Sequence, residues 1–314
     1  MVTGILAGLT WAVETVVMGI ALGMSPLVST QQAVMLAPFV ATFLHDAVSA
    51  LLLFAYNAVR GNLKQVFGVC GKRDFKWLIL ASAIGGPIGM TGYVMTVNFM
   101  GASVGAVASA IYPAIGTVLA YFFLKEKVRW YQWIFLLLTL LGVYGLSYSP
   151  AVEIGNFWLG LLGTCMCAFG WGTEAVILAK CLKDPDIQSE WALNIRQTVS
   201  ALIHGIAIMP ILKGWEFMPV LFESSATLLL PVIAIAALFA SISYLLYYKT
   251  IGDIGASKAM ALNITYTAWA ILLTVVIMKD TSVLNPLTVI CAAVVVVCGI
   301  LAACDLKMLF GKNK

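Results

Sequence analysis

The stretch Cys165-Met-Cys-Ala-Phe-Gly-Trp171-Gly-Thr-Glu174-Ala-Val-Ile-Leu178 decides how the rest of the chain is read. It lies inside a run that is otherwise apolar from about Phe157 to Ala179, long enough to cross a bilayer as a helix. A carboxyl at that depth costs about 2.5–3.5 kcal/mol on insertion scales, so a role is expected for it. Trp171 and Glu174 are three residues apart, which puts indole and carboxylate on one helical face. A π face beside a carboxylate suits an organic cation. The first apolar run carries the same pair, Trp11-Ala-Val-Glu14.

Composition agrees with a membrane setting. Of 314 residues, 62% are hydrophobic and 10% charged, against about 25% charged in soluble chains. The runs are too long and too uniformly apolar for barrel strands. No basic region precedes the first run, so no cleavable leader is expected. The seven cysteines show no paired spacing for disulfides or zinc, and most sit in apolar runs as small hydrophobes. The formal charge of +4 bears on topology and not on nucleic acid, and no cofactor or metal is implied.

Ten apolar segments are expected, at about 3–23, 34–59, 77–98, 102–124, 130–148, 157–179, 191–212, 227–248, 256–278 and 284–304. Very short connections fall at 99–101 and 281–283. With the N-terminus inside, fifteen of the 18 Lys and Arg residues fall in inner loops or the tail, so both termini are expected in the cytoplasm and Glu153 outside.

The two halves repeat. At an offset of 154, Tyr93 matches Tyr247, Gly101-Ala-Ser103 matches Gly255-Ala-Ser257, Tyr112 matches Tyr266, and Lys125-Glu126 matches Lys279-Asp280. At 151, Val48-Ser-Ala-Leu51 matches Val199-Ser-Ala-Leu202, and His45-Asp46 falls opposite Arg196-Gln197. At 160, the two Trp-x-x-Glu copies coincide. Five helices per half is an odd number, so the second half enters the membrane inverted. The expected fold is an all-α integral membrane protein of ten transmembrane helices in two inverted five-helix repeats, 1–150 and 151–314. A site is expected between the halves near the midplane.

This ordering resembles the bacterial drug/metabolite transporter superfamily and, more narrowly, the LicB-type choline permeases. The resemblance is carried by Gly86-Pro-Ile-Gly-Met90, Ser109-Ala-Ile-Tyr-Pro-Ala-Ile115, Phe122-Phe-Leu-Lys125, His45-Asp46 and Trp171-Gly-x-Glu174. It continues through Ile195-Arg-Gln197, Ile242-Ser-Tyr-Leu245, Tyr247-Tyr248, Leu262-Asn263, Tyr266 and Trp269. It implies import of choline across the cytoplasmic membrane, coupled to protons or driven by the membrane potential. Trp171, Glu174, Tyr247 and Trp269 match the family's cation site. The alternative within the superfamily is export of hydrophobic cations, drugs or amino acids. An intramembrane enzyme would need a nucleophile–base pair or metal cluster at depth, and only His45-Asp46 offers anything of that kind.

Of nine tryptophans, Trp77, Trp130, Trp133, Trp158, Trp191 and Trp215 lie near segment ends and are assigned to the interfacial belt. Trp11, Trp171 and Trp269 lie mid-segment and are candidates for a cage, with helix packing as the plain alternative. The expected substrate site comprises Trp11, Glu14, Tyr93, Tyr112, Trp171, Glu174, Tyr244, Tyr247, Tyr266 and Trp269, with Glu14 and Glu174 lining one cavity. Tyr248, nearer a segment end, is assigned an anchoring role. Arg196 cannot deprotonate and needs an anion, for which Asp46 is the first choice. Glu14, His45, Asp46 and Arg196 form either a structural ion-pair group or a coupling device. His45 and His204 are expected to be neutral and structural. Pro87 and Pro113 are expected to break or bend their helices, as static kinks or as hinges.

Overall fold

The computed structural model describes residues 1–147, 156–223, 228–279 and 285–304. Among them there is no strand. The helices are α1 (Val2–Leu22), α2 (Gln31–Val59), α3 (Leu63–Val69), α4 (Phe75–Ala83), α5 (Thr91–Ser109), α6 (Tyr112–Leu119), α7 (Trp130–Ser147) and α8 (Phe157–Cys181). They continue as α9 (Ser189–Ile203), the short α10 (Met209–Ile211) and α11 (Gly214–Phe217), α12 (Leu229–Ile254), α13 (Ala256–Asn263), α14 (Tyr266–Met278) and α15 (Pro286–Ala303).

Polarity is inverted relative to a soluble bundle. Leu51, Phe123, Ile211 and Val276 are exposed, while Glu14, His45, Asp46 and Arg196 are each 0% exposed. A bilayer imposes that arrangement, because charge is costly toward lipid and apolar side chains are not. Among the described residues, seven helices are long and apolar enough to cross a membrane, and an eighth forms if Ser189–Ile211 and Gly214–Phe222, bent by 93°, are one span. Tyr112–Leu124 and Trp130–Leu146 are apolar but shorter.

The shortfall against ten expected spans has local causes. Backbone breaks and bends shorten the regular helices. The connection expected at 99–101 is instead part of α5, and the chain turns at Ala110–Ile111. Pro113 explains that position: it lacks an N–H and stands in the first turn of α6, where none is needed. Pro87 does interrupt its helix, since Ile84–Met90 winds as a wider π-type turn between α4 and α5. The connection expected at 281–283, Glu153, Asp280 and the tail from 305 lie outside the described residues, as do the side chains of Gly101-Ala-Ser103.

The match at an offset of 154 has a structural counterpart. α6 and α14 both start at the matched tyrosines, Tyr112 and Tyr266. The helical stretches they begin both end on a lysine in the left-handed region, Lys125 at φ 55° and Lys279 at φ 55°. The matched residues also bond reciprocally across the halves: Asn263 Nδ2 donates to Tyr112 Oη at 2.9 Å, and the Tyr266 hydroxyl bonds Ser109. α1 packs on α12 and α14, α5 on α8, α2 on α9 and α7 on α15. One large core results, and the candidate site lies within it.

At one end of α13, Gly255 takes φ +88°, and an added Cβ there would meet the Glu126 carboxylate. That carboxylate accepts from Ala256 N at 2.9 Å, Ser257 N at 3.2 Å and Ser257 Oγ at 2.6 Å. It thus satisfies orphan donors at the helix start and ties the α6–α7 connection to the second half.

Candidate functional site

The site is built where glycines let a broken helix approach α8. Gly85 and Gly89, both in the π-type turn, leave no room for a Cβ. At Gly85 it would fall 1.9 Å from the Glu174 carboxyl carbon, and at Gly89 2.6 Å from the Trp171 ring. Trp171 and Glu174 are therefore held by backbone on one side. On the other side stand α1, with Trp11, and α12, with Tyr244, Tyr247 and Tyr248.

The aromatic rings pack on one another. Trp171 meets Trp11 edge-on at 5.4 Å between centroids, Tyr93 at 5.2 Å and Tyr112 edge-on at 5.7 Å. Trp11 also meets Tyr244 at 5.0 Å and Tyr93 at 5.9 Å. Such pairs contribute about 0.5–1.5 kcal/mol each beyond burial. A cavity is lined by Trp11, Tyr112, Trp171, Glu174, Tyr244 and Tyr247, together with Tyr248, Ser243, Asn263, Ala175 and Leu178. In this conformation it has room for about one water molecule. The indole N–H groups of Trp11 and Trp171 are buried and meet no hydrogen-bond partner among the described residues.

Four expected site residues fall outside that lining. Tyr93 stands behind the two indoles and donates to Thr15 Oγ1 at 2.9 Å. Tyr266 is turned to Ser109. Trp269 is partly buried against the core. Glu14 is the fourth. It is fully buried, but its carboxyl stands beside His45, with Oε1 4.0 Å from Nε2. The expectation that both glutamates line one cavity therefore fails, and the residue facing each on the next helix explains why.

Arg196 also departs from expectation. Its Nε donates to Glu174 Oε1 at 2.8 Å, while Asp46 Oδ2 stands 3.9 Å from NH1, so Glu174 is the nearer partner. Glu174 Oε1 also accepts from Tyr248 Oη at 2.9 Å, which gives that tyrosine a place in the site and not an anchoring role. The guanidinium lies 4.8 Å from the Tyr244 ring centroid and bonds Gln197. Asp46 bonds His45 Nδ1 at 2.9 Å and accepts from Ser200. Gln197 Nε2 donates to Ser49 Oγ at 2.8 Å, which bonds Ser241 Oγ at 2.6 Å. His204 bonds Thr91 at 2.9 Å and the Ser200 carbonyl at 2.9 Å. A continuous buried polar network thus runs from α2 through α9 to α8 and α12. Among the described residues, no group of three His, Cys, Asp or Glu is placed to hold a metal ion.

An all-helical membrane protein with an aromatic cavity and a buried charge network at its centre is the class that fold and site define. Residues 1–148 match the EamA-like transporter family. Protein LicB of Haemophilus influenzae is 28% identical over 193 residues, 61% of this chain and 63% of that protein. A crystal structure of another protein superposes with a TM-score of 0.70 over 99% of this chain and 98% of the other, at 17% identity, and shows the shared fold alone. The family match covers just under half of the chain, which is similar there to the EamA-like transporters and, over a longer stretch, to LicB. Its long apolar helices make it a multi-pass membrane protein, and its match spans less than two thirds of that relative's length.

Proposed function

We propose that this protein is a transporter that imports choline, or a closely related quaternary ammonium, across the bacterial cytoplasmic membrane by alternating access. In this reading both termini are cytoplasmic, the ten helices form two inverted repeats, and protons or the membrane potential drive uptake. The observation that carries the reading is the lining: two indoles, four tyrosines and one carboxylate around a single cavity. Aromatic faces stabilise a desolvated quaternary cation by about 2 kcal/mol or more, and Glu174 supplies the counter-charge. The two unpartnered indole N–H donors favour a cation that also carries an acceptor, such as a hydroxyl. The resemblance of the sequence to the LicB-type choline permeases implies the same substrate class.

In the present conformation the rings occupy one another, so loading requires Trp11 on α1 and Trp171 on α8 to part. Reciprocal bonds of Ser109 with Tyr266 and of Asn263 with Tyr112 support a two-fold arrangement in which helices of one half move against the other. Glu14 and His45 are the candidate coupling pair, fully buried and 4.0 Å apart.

Calorimetry on purified protein tests this reading. Choline is expected to bind, and its uncharged analogue 3,3-dimethylbutan-1-ol to bind at least about 1–2 kcal/mol more weakly. Equal binding of the two rules out a cation cage. Betaine, carnitine, polyamines and amino acids in the same series separate choline import from the other activities of the superfamily.

A further inference from the structure

Arg196 already does within the protein what the substrate cation is proposed to do. Its guanidinium takes the Glu174 carboxylate at 2.8 Å and lies 4.8 Å from the Tyr244 ring centroid, and both of those residues line the cavity. Arg196 does not line it; it stands behind Glu174, fully buried. Its charge is permanent. We propose that Arg196 is an internal stand-in for the substrate cation, and that loading the site moves its pairing from Glu174 to Asp46. This inference rests on the proposed recognition of an organic cation.

Charge counting supports the exchange. Glu174 and Asp46 carry two negative charges and Arg196 one positive, which leaves one negative charge for one monovalent cation. In the empty site, Glu174 without a partner would be a buried bare carboxylate, an arrangement strongly disfavoured away from water. Arg196 removes that cost. Once a cation enters, two positive charges would compete for one carboxylate in a poorly screened space. Asp46 is the outlet: Oδ2 is 3.9 Å from NH1, so a small shift of the guanidinium plane closes the distance. His45 at 2.9 Å and Ser200 hold the Asp46 carboxylate in place to receive it. The guanidinium suits this because its Nε and NH1 donors lie on different edges of one plane. Asp46 and Arg196 are thus positioning residues for substrate, acting through Glu174.

The test uses the full chain in lipid nanodiscs, with choline as the probe. Asp46→Asn removes the outlet, and choline affinity is expected to fall about tenfold or more, in the usual range of coupling between separated sites, although Asp46 lines no part of the cavity. The double variant Asp46→Asn with Arg196→Met removes the internal competitor as well. Its affinity is expected to return to within about threefold of wild type, because the cycle cancels a purely pairwise loss. Wild-type affinity in Asp46→Asn, or no recovery in a double variant that elutes as a folded monodisperse peak, overturns the exchange. A second measurement needs no substitution at the site. The side-chain Nε–H resonance of Arg196, assigned with lysine at Arg60, Arg73 and Arg129, is expected to shift when choline saturates the wild type. An unmoved resonance under saturating choline overturns the exchange and leaves the functional reading standing. If no quaternary ammonium binds the wild type, the functional reading falls, and the exchange with it.

Discussion

The two copies of Trp-x-x-Glu start from one spacing and end in different surroundings. On α8, Trp171 and Glu174 both face the cavity. On α1, Trp11 reaches the cavity and Glu14 does not. The next helix of each half explains the difference. At an offset of 151, His45 on α2 corresponds to Arg196 on α9, and each stands against the glutamate of its own half, at 4.0 Å and 2.8 Å. A guanidinium keeps its charge under all cellular conditions, whereas an imidazole gains or loses one. The two sequence copies therefore share a geometry, an acid facing a base across two helices, and differ in the identity of the base. In the proposed mechanism Glu174–Arg196 holds charge and Glu14–His45 carries the proton.

The comparison is tested most severely at Glu174. Glu174→Gln removes the counter-charge and leaves Arg196 only Asp46, so choline binding is expected to weaken by about 2–5 kcal/mol at every pH from 5 to 8. Calorimetry across that range checks it, and affinity within threefold of wild type would remove Glu174 from the site. Next comes Gly85, which holds Glu174 by close approach and not by charge. Gly85→Ala places a Cβ 1.9 Å from the Glu174 carboxyl carbon and is expected to cost about 1–3 kcal/mol of stability, as overpacking does. Thermal unfolding in detergent reads it, with a parallel loss of choline affinity.

The tryptophans give a smaller contrast. Trp171→Ala is expected to weaken choline by about 1–2 kcal/mol. Trp269→Ala is expected to leave affinity unchanged and to lower only the unfolding temperature, because that ring packs against the core outside the cavity. A loss of affinity at Trp269 matching that at Trp171 would show that the loaded cavity extends past the rings now closing it.

How much of this was legible in the sequence differs between residues. Trp11 and Trp171 stood out because a mid-span indole has no interfacial reason to be there, and both line the cavity. Pro87 signalled an interrupted helix, and Ile84–Met90 is one. The partner of Arg196 was not legible. Gly85 sets how closely the π-type turn approaches Glu174, and no spacing rule reports where neighbouring helices leave a carboxylate. Tyr248 was hidden for another reason. α12 is apolar nearly all round, so sequence does not reveal which face is buried, and a tyrosine near a helix end resembles an anchor until its bond to Glu174 is seen. Trp269 misleads in the opposite direction, since a mid-span indole can equally pack against the core, as this one does. Ser49, Ser200 and Gln197 carry no signal by themselves and gain meaning only from the charges they touch.

Glu14 is expected to change affinity little, and its replacement sharpens the comparison most. Glu14 is fully buried, touches no part of the cavity, and has neither carboxyl oxygen in hydrogen-bond geometry with a described residue. His45 Nε2, likewise without a partner, faces it at 4.0 Å, with Asp46 on the other ring nitrogen. If the pair carries a proton during transport, Glu14→Gln, which mimics the protonated acid, should bind choline within about twofold of wild type, since no contact to substrate is removed. Its uptake should stop responding to an imposed inward proton gradient that accelerates the wild type. Should the membrane potential alone drive the cation, a gradient of 100 mV, about 2.3 kcal/mol per charge, supports uptake in both proteins equally. Proteoliposomes with the pH gradient and the potential set independently separate these outcomes. A Glu14→Gln protein that keeps the wild-type response to the pH gradient assigns coupling to some other group or to none, and leaves the Glu14–His45 pair a structural counterpart of Glu174–Arg196.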